Sequence, residues 1–273
     1  MTPGGGAYRR RSFLDRFASP VIGWAPLTLI LAAWLLSACT RFLPPQGQRD
    51  LPAERMVAGL MQTNAGLTGF RCVAKITLSG PNRPTQSFRA AIAGQLTDRL
   101  RIDMFAPYGG SAGTFSSDGK HLFLVTLPSR EYYKRRIGSG SLQRLLKVDV
   151  TVGDLLELLV GRIPMNAALS ARLMPDEEAA RTHLVLVDRW GRTRQQIILD
   201  ASLHPERSIW FDVDHNPVQS LMVAGQQTID GFVLPTRIDL SAESGQRVSV
   251  ALDRYEANAR FEESLFTLAP PSS

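Results

Sequence analysis

The chain has 273 residues, enough for one large domain or two small ones. Apolar residues make up 44% and charged residues 21%, an ordinary globular composition that excludes a disordered tail protein. Of the formal +6 charge, +3 sits in the first 38 residues and +3 is spread over the remaining 235. That is not the clustered basic stripe a nucleic-acid partner needs, and two cysteines, Cys39 and Cys72, build no disulfide scaffold.

Arg9-Arg10-Arg11 forms a charged n-region ahead of an apolar run of sixteen residues, Val21 to Leu36. A lone transmembrane helix usually needs ~20 apolar residues, and Gly23 and Pro26 weaken this run further. Residues 1–38 therefore read as a signal peptide, with Ser37-Ala38 as the small-residue cleavage context. Leu36-Ser37-Ala38-Cys39 resembles the bacterial lipobox, in which the cysteine thiol forms a thioether to diacylglycerol and the protein is held by acyl chains such as palmitate. An uncleaved anchor with an incidental cysteine is the competing reading. Arg10-Arg11-Ser12-Phe13-Leu14 also resembles the twin-arginine export signal, with Asp15 where that pattern prefers lysine, so both export routes stay open. Thr40 follows the cysteine where an aspartate would retain such lipoproteins in the inner membrane. By that rule the mature protein sits on the periplasmic face of the outer membrane.

Residues 39–50 form a Pro/Gly/Gln-rich tether, and 51–271 form the domain. Asp50 can cap a helix with Pro52 and Glu54 in its first turn, which Met56, Val57, Leu60 and Met61 continue towards Asn64-Ala65-Gly66. From Phe70 the period changes to two: Phe70, Cys72, Ala74, Ile76 and Leu78 share one face, as do Phe88, Ala90, Ile92, Gly94 and Leu96. Leu100, Ile102 and Met104 continue the pattern, and Lys120 to Leu127 adds a richer apolar strand. Cys72 reads as a small core residue. Leu142, Leu145 and Leu146 mark a short helix, and Val152, Leu155, Leu156 and Leu159 form the stripe of a second, ending at Gly161 with Pro164 beyond. Plain core packing is the default account of that stripe. Strands resume at His183–Asp188 and Thr193–Leu199, then Ser208–Val213, Val218–Ile229, Phe232–Leu240 and Arg247–Tyr255, with Asp230-Gly231 as a hairpin signal. The pattern predicts one mostly antiparallel sheet of about ten strands with a helical insert midway.

Signals for catalysis fail on context. Gly109-Gly110-Ser111-Ala112-Gly113 matches G-x-S-x-G, but a strand follows where a nucleophile elbow needs a helix. Asp212, Asp214 and His215 read as an acidic turn, not as metal ligands. No glycine-rich phosphate loop precedes a helix, so no cofactor and no enzymatic activity are expected. Tyr132-Tyr133-Lys134-Arg135-Arg136 reads as an exposed strand end, or as a contact for lipid headgroups.

Three stretches in order carry a family likeness: Leu100 to Gly113 with Pro107-Tyr108-Gly109 at its tip, Val152–Val160 followed by Gly161-Arg162-Ile163-Pro164, and Tyr255 to Pro271 with Phe261-Glu262-Glu263-Ser264-Leu265-Phe266. With the lipobox they resemble the LolA/LolB superfamily of lipoprotein-localisation factors. The resemblance implies a mostly β fold, an unclosed antiparallel β-barrel (half-barrel) with an N-terminal helix and inserted lid helices. It also implies an apolar cavity in which Phe88, Ile92, Ile102, Met104, Leu124, Leu145, Val152, Leu155, Leu156 and Leu159 meet acyl chains. Cys39 as lipid attachment makes the resemblance closer to the membrane-anchored receptor, whose protruding loop maps onto Pro107, Tyr108 and Gly109, with tyrosine in place of the family's leucine. The partners implied are the membrane, acyl chains or lipoproteins, and a periplasmic carrier protein. An envelope scaffold whose barrel is filled by its own side chains is the alternative.

Overall fold

A computed structural model describes residues 50–271 apart from 82, 128, 139–141, 144–147, 167 and 177–180. Cys39, Leu145 and the signal peptide lie outside the described residues. Asp50 opens helix α1 (Leu51–Met61), its Oδ1 accepting the Ala53 amide at 3.2 Å, with proline in the first turn where a missing N–H costs nothing. The helix stops at Met61, and residues 62–66 form turns where the apolar spacing had suggested more helix.

Thirteen strands then make one antiparallel sheet. They are β1 (Gly69–Gly80), β2 (Arg83–Gln95), β3 (Arg99–Phe105), β4 (Ser111–Asp118), β5 (His121–Thr126), β6 (Glu131–Arg136), β7 (Ser170–Asp176), β8 (Arg181–Val187), β9 (Thr193–Leu199), β10 (Pro205–Phe211), β11 (Pro217–Ile229), β12 (Phe232–Ala242) and β13 (Arg247–Ala257). The order is β6-β5-β4-β3-β2-β1-β13-β12-β11-β10-β9-β8-β7, so β6 and β7 are free edges and the barrel is unclosed. Residues 137–169 join those two edges and carry helix α2 (Val152–Leu159).

Three strands exceed the sequence expectation. In β4 the alternation is masked by Ser116 and Ser117, both buried; the Ser116 hydroxyl donates to Phe266 O at 2.7 Å and the Ser117 hydroxyl to Asp98 O at 3.0 Å. Edge strands β6 and β7 carry Lys134, Arg135, Arg136 and Pro175, residues that keep an edge from pairing further and also hide it from pattern reading. Hairpins follow a repeated local rule. Asp188, Asp200 and Asp212, twelve residues apart, each accept the amides of residues i+2 and i+4 through one carboxylate oxygen. The residue at i+3 takes a positive φ in all three: Gly191, Leu203 and His215. Asp230 and Gly231 form the expected tight turn, with φ of 50° and 83°.

The C-terminal segment straps the outer face of β3 and β4. Phe266, in the short 3-10 helix Glu263–Phe266, is wholly buried, and beside it Arg101 donates to Leu265 O at 3.0 Å. Tyr132 of β6 donates to Leu268 O at 3.1 Å. Removing a buried phenylalanine typically costs about 3–5 kcal/mol. Phe266→Ala is expected to lower the urea midpoint by a corresponding amount, and an unchanged midpoint would show that the strap does not hold the outer face.

Candidate functional site

The inner face of the sheet is built by register. Tyr133, Leu124, Phe115, Ile102, Ile92, Cys72 and Tyr255 are successive cross-strand partners from β6 to β13. Burial along this row is uneven: Ile92 and Cys72 are each 2% exposed and Phe115 8%, Ile102, Leu124 and Tyr255 are half-buried, and Tyr133 at the edge is 53% exposed. Met104 lies one row away, opposite Ala90, and Phe88 lies opposite Ile76. Both are half-buried and stand apart from the main buried cluster.

Helix α2 covers the sealed part of this face. Thr151 and Asp154 form a reciprocal capping box at its start. Leu156 is fully buried, and a Cβ placed on Gly94 would fall 2.8 Å from its Cδ2 and against the Phe70 ring. Gly94 is therefore the opening in β2 into which the helix packs. Val152 and Leu159 are buried too, while Leu155 is half-buried. The structure thus brings Ile92, Ile102, Leu124, Val152, Leu155, Leu156 and Leu159 into one apolar cluster.

Two residues that pattern reading passed over fasten the end of α2. The Tyr255 hydroxyl donates to Leu159 O at 3.3 Å while its ring stacks on Phe70 with centroids 5.4 Å apart. Asn64, in a left-handed conformation, donates through Nδ2 to Val160 O at 2.8 Å and to Val233 O at 2.7 Å. The only sequence signal for this clasp was Asn64 at the end of the helical run, because its partners lie 96 and 169 residues away. Burial pushes the Cys72 thiol up to about 12; it raises the Tyr255 hydroxyl as well, to which nearby Cys72 adds. The phenol therefore stays a donor at neutral pH.

Cavities remain on both sides of α2, each walled by Leu158. One of about 310 Å³ lies between the insert and β9–β12, with Leu169, Arg194, Trp210 and Leu240 in its wall. The other, about 200 Å³, is bounded by Leu60, Asn64, Ile163 and Leu234. Ligand pockets span roughly 300–1,000 Å³, so the larger sits at the lower limit with the helix in place.

Pro107, Tyr108 and Gly109 form the exposed tip of the β3–β4 hairpin, with Tyr108 fully in solvent. Ser111 opens β4 directly after that hairpin, without the helix a nucleophile elbow requires. Asp212 is engaged by its own turn: the Asn216 amide and side chain, with the Asp214 amide, hold its carboxyl below the usual range. Among the described residues no group of three His, Cys, Asp or Glu side chains could hold a metal ion, and no helix is long and apolar enough to cross a membrane.

No family model and no curated protein matches the sequence. Solved structures match the fold. A DUF1329 family protein from Desulfovibrio piger aligns at 11% identity over 79% of this chain and 96% of its own, with a TM-score of 0.60. A domain described as an outer-membrane lipoprotein-sorting protein from Vibrio parahaemolyticus aligns at 14% identity over 78% and 97%, with a TM-score of 0.58. LolA superfamily protein NE2245 from Nitrosomonas europaea aligns at 14% identity over 79% and 97%, with a TM-score of 0.55. These likenesses show the fold, one shared with a LolA superfamily protein, as the resemblance drawn from the sequence implies.

Tyr255→Phe keeps the stack on Phe70 and removes one hydrogen bond from the end of α2. Amide exchange across Val152–Leu159 is expected to quicken roughly two- to tenfold, with the β-sheet amides unchanged. Cys72 and Tyr255 hold their protons more firmly in the folded chain. Stability is therefore complete below the ordinary thiol value of 9.0 and falls as pH climbs towards about 12. Cys72→Ala should make that alkaline decline in melting temperature shallower.

Proposed function

We propose that this protein binds acyl chains on the inner face of its half-barrel, with α2 as a lid, and that it does so as a lipid-anchored protein of the bacterial envelope. The observation that carries this reading is the apolar inner-face row, buried at Cys72, Ile92 and Phe115, half-buried at Ile102 and Leu124, and exposed at Tyr133 on the β6 edge. Acyl chains entering at the open end would lift α2 and take the place of Leu155, Leu156 and Leu159 against Ile92, Ile102 and Leu124, with Met104 and Phe88 beside them and Val152 at the lid's border. Cys39 would supply the anchor, on the periplasmic face of the outer membrane. Tyr108 on its hairpin tip would help deliver cargo to the bilayer, as in a lipoprotein receptor fed by a periplasmic carrier.

The energetics support a container. Burial of a chain is worth ~0.8 kcal/mol per methylene, so a lipoprotein with three chains of ~16 carbons cannot cross water without one. Transfer then runs on differential affinity, from a weaker-binding donor into the cavity and on into the membrane. The fold shared with a lipoprotein-sorting domain favours this reading. One observation favours a filled scaffold instead: Leu156 is fully buried against Gly94 and Phe70, so the inner face is already covered.

Native mass spectrometry of Gln48–Ser273, which forms one compact unit, separates the two. Purified without detergent, it is expected to carry or take up fatty acid or phospholipid. Ile102→Asp, at a half-buried position, should weaken fatty-acid binding by about tenfold or more, since it forfeits apolar contact worth roughly 1.5–3 kcal/mol. A clean apo mass that takes up no added lipid would make the filled scaffold the correct reading.

A further inference from the structure

Strand alternation places every second hairpin at the same end of the sheet. The β1–β2, β3–β4, β5–β6, β8–β9, β10–β11 and β12–β13 tips therefore share one rim. The β1–β2 and β12–β13 tips show this directly, since Pro81 packs against Gly245. Tyr108 stands on this rim, and so does a second aromatic residue on the other side of the sheet's centre. Trp190, at the β8–β9 tip, is 57% exposed.

Its setting is specific. The Arg189 guanidinium lies 4.0 Å from the Trp190 ring centroid and that of Arg192 lies 4.9 Å away. Asp188, the carboxylate of this hairpin, is turned inward: it accepts the Trp190 and Arg192 amides at 2.9 and 3.0 Å and pairs with Arg192 at 3.3 Å. Arg189 has no carboxylate partner among the described residues. Gly191, at φ +78°, has open space around it, so the tip projects from the sheet. On the adjacent β10–β11 tip Asp212 is likewise folded onto its own amides, leaving Asp214 as the outward carboxylate and Val213 55% exposed.

We propose that the Arg189-Trp190-Gly191-Arg192 tip is a bilayer-docking element, which seats Trp190 at the membrane interface and sets its two arginines on the phosphates of anionic lipids. Indole rings favour the headgroup level, where an apolar face and a polar N–H are both satisfied. A guanidinium lying on a ring holds its N–H groups in its own plane, where those of Arg189, and those of Arg192 that Asp188 leaves unpaired, can meet phosphate oxygens. Two contacts on one rim, Tyr108 and Trp190, hold a half-barrel against a surface in a defined orientation where one alone leaves it free to pivot. This rests on the envelope reading above and adds to it the membrane chemistry that a second tip recognises.

The experiment uses Gln48–Ser273, in which Trp190 and Trp210 are the tryptophans. Vesicles of phosphatidylglycerol mixed with phosphatidylcholine should shift tryptophan emission to the blue, and Trp190→Phe should abolish that shift while circular dichroism stays unchanged. Arg189→Gln should weaken partitioning about fivefold, as expected for one basic residue at an anionic surface. Raising salt to ~1 M, where charges are screened within ~3 Å, should weaken it as well. Emission that stays unshifted with anionic vesicles overturns the proposal, as does equal partitioning into pure phosphatidylcholine or an Arg189→Gln variant that binds as well as the parent. A unit that takes up fatty acid but ignores vesicles loses only this docking element; one that binds vesicles but stays free of lipid loses only the cavity.

Discussion

An apolar sheet face that is not closed into a barrel has to be covered, and the structure depends on how that is done. The strands put most of their buried apolar side chains on one face, and an eight-residue helix lies against it. Leu156 fits where Gly94 leaves out a side chain, so the helix approaches the sheet more closely than any other residue at that position would allow. Both ends of α2 carry polar contacts beside their buried apolar side chains: a capping box at the start, Tyr255 and Asn64 at the end. Such contacts contribute modestly, about 0.5–1.5 kcal/mol each, and release as units. In the proposed function the same leucines serve as core with the helix down and give way to acyl chains when it lifts.

The two free edges raise a second problem, which the chain solves locally. Edge β7 is guarded by Asp50, whose carboxylate caps α1 through one oxygen and accepts the Leu173 amide at 3.0 Å through the other. That single residue ties the first helix of the domain to the last strand of the sheet. Edge β6 relies on charge, with Lys134, Arg135 and Arg136 in a row, and on the C-terminal strap bonded to Tyr132. Because the edges are protected without being joined, the inner face keeps an open side at Leu124 and Tyr133. The hairpin rim lies apart from both devices, with the Tyr108 side chain in solvent and Trp190 more than half exposed.

Much of this was legible in the chain. Period-two runs from Phe70 onward named the inner-face residues of β1, β2 and β3, and the spacing of Val152, Leu155, Leu156 and Leu159 placed α2 where it lies. Asp50 and Asp230-Gly231 announced a cap and a turn because those roles are carried out within a few residues. Strands β4 and β7 escaped notice, and β6 was legible only as an exposed strand end, for a shared reason. Buried serines bonded to backbone, and edges dressed in arginine, lysine and proline, depart from the alternation by which a strand is recognised.

By itself the sequence determined the class: a mostly antiparallel sheet with a leucine-striped helix inserted midway. Those features follow from local periodicity and short-range chemistry, which a linear chain displays in full. Tertiary structure alone decided that the sheet stays open between β6 and β7, that α2 packs at Gly94 instead of elsewhere on the face, and that Asn64 and Tyr255 hold it there. Each of these joins residues some sixty positions apart or more, or depends on which strands lack a neighbour, and only the folded chain sets those distances.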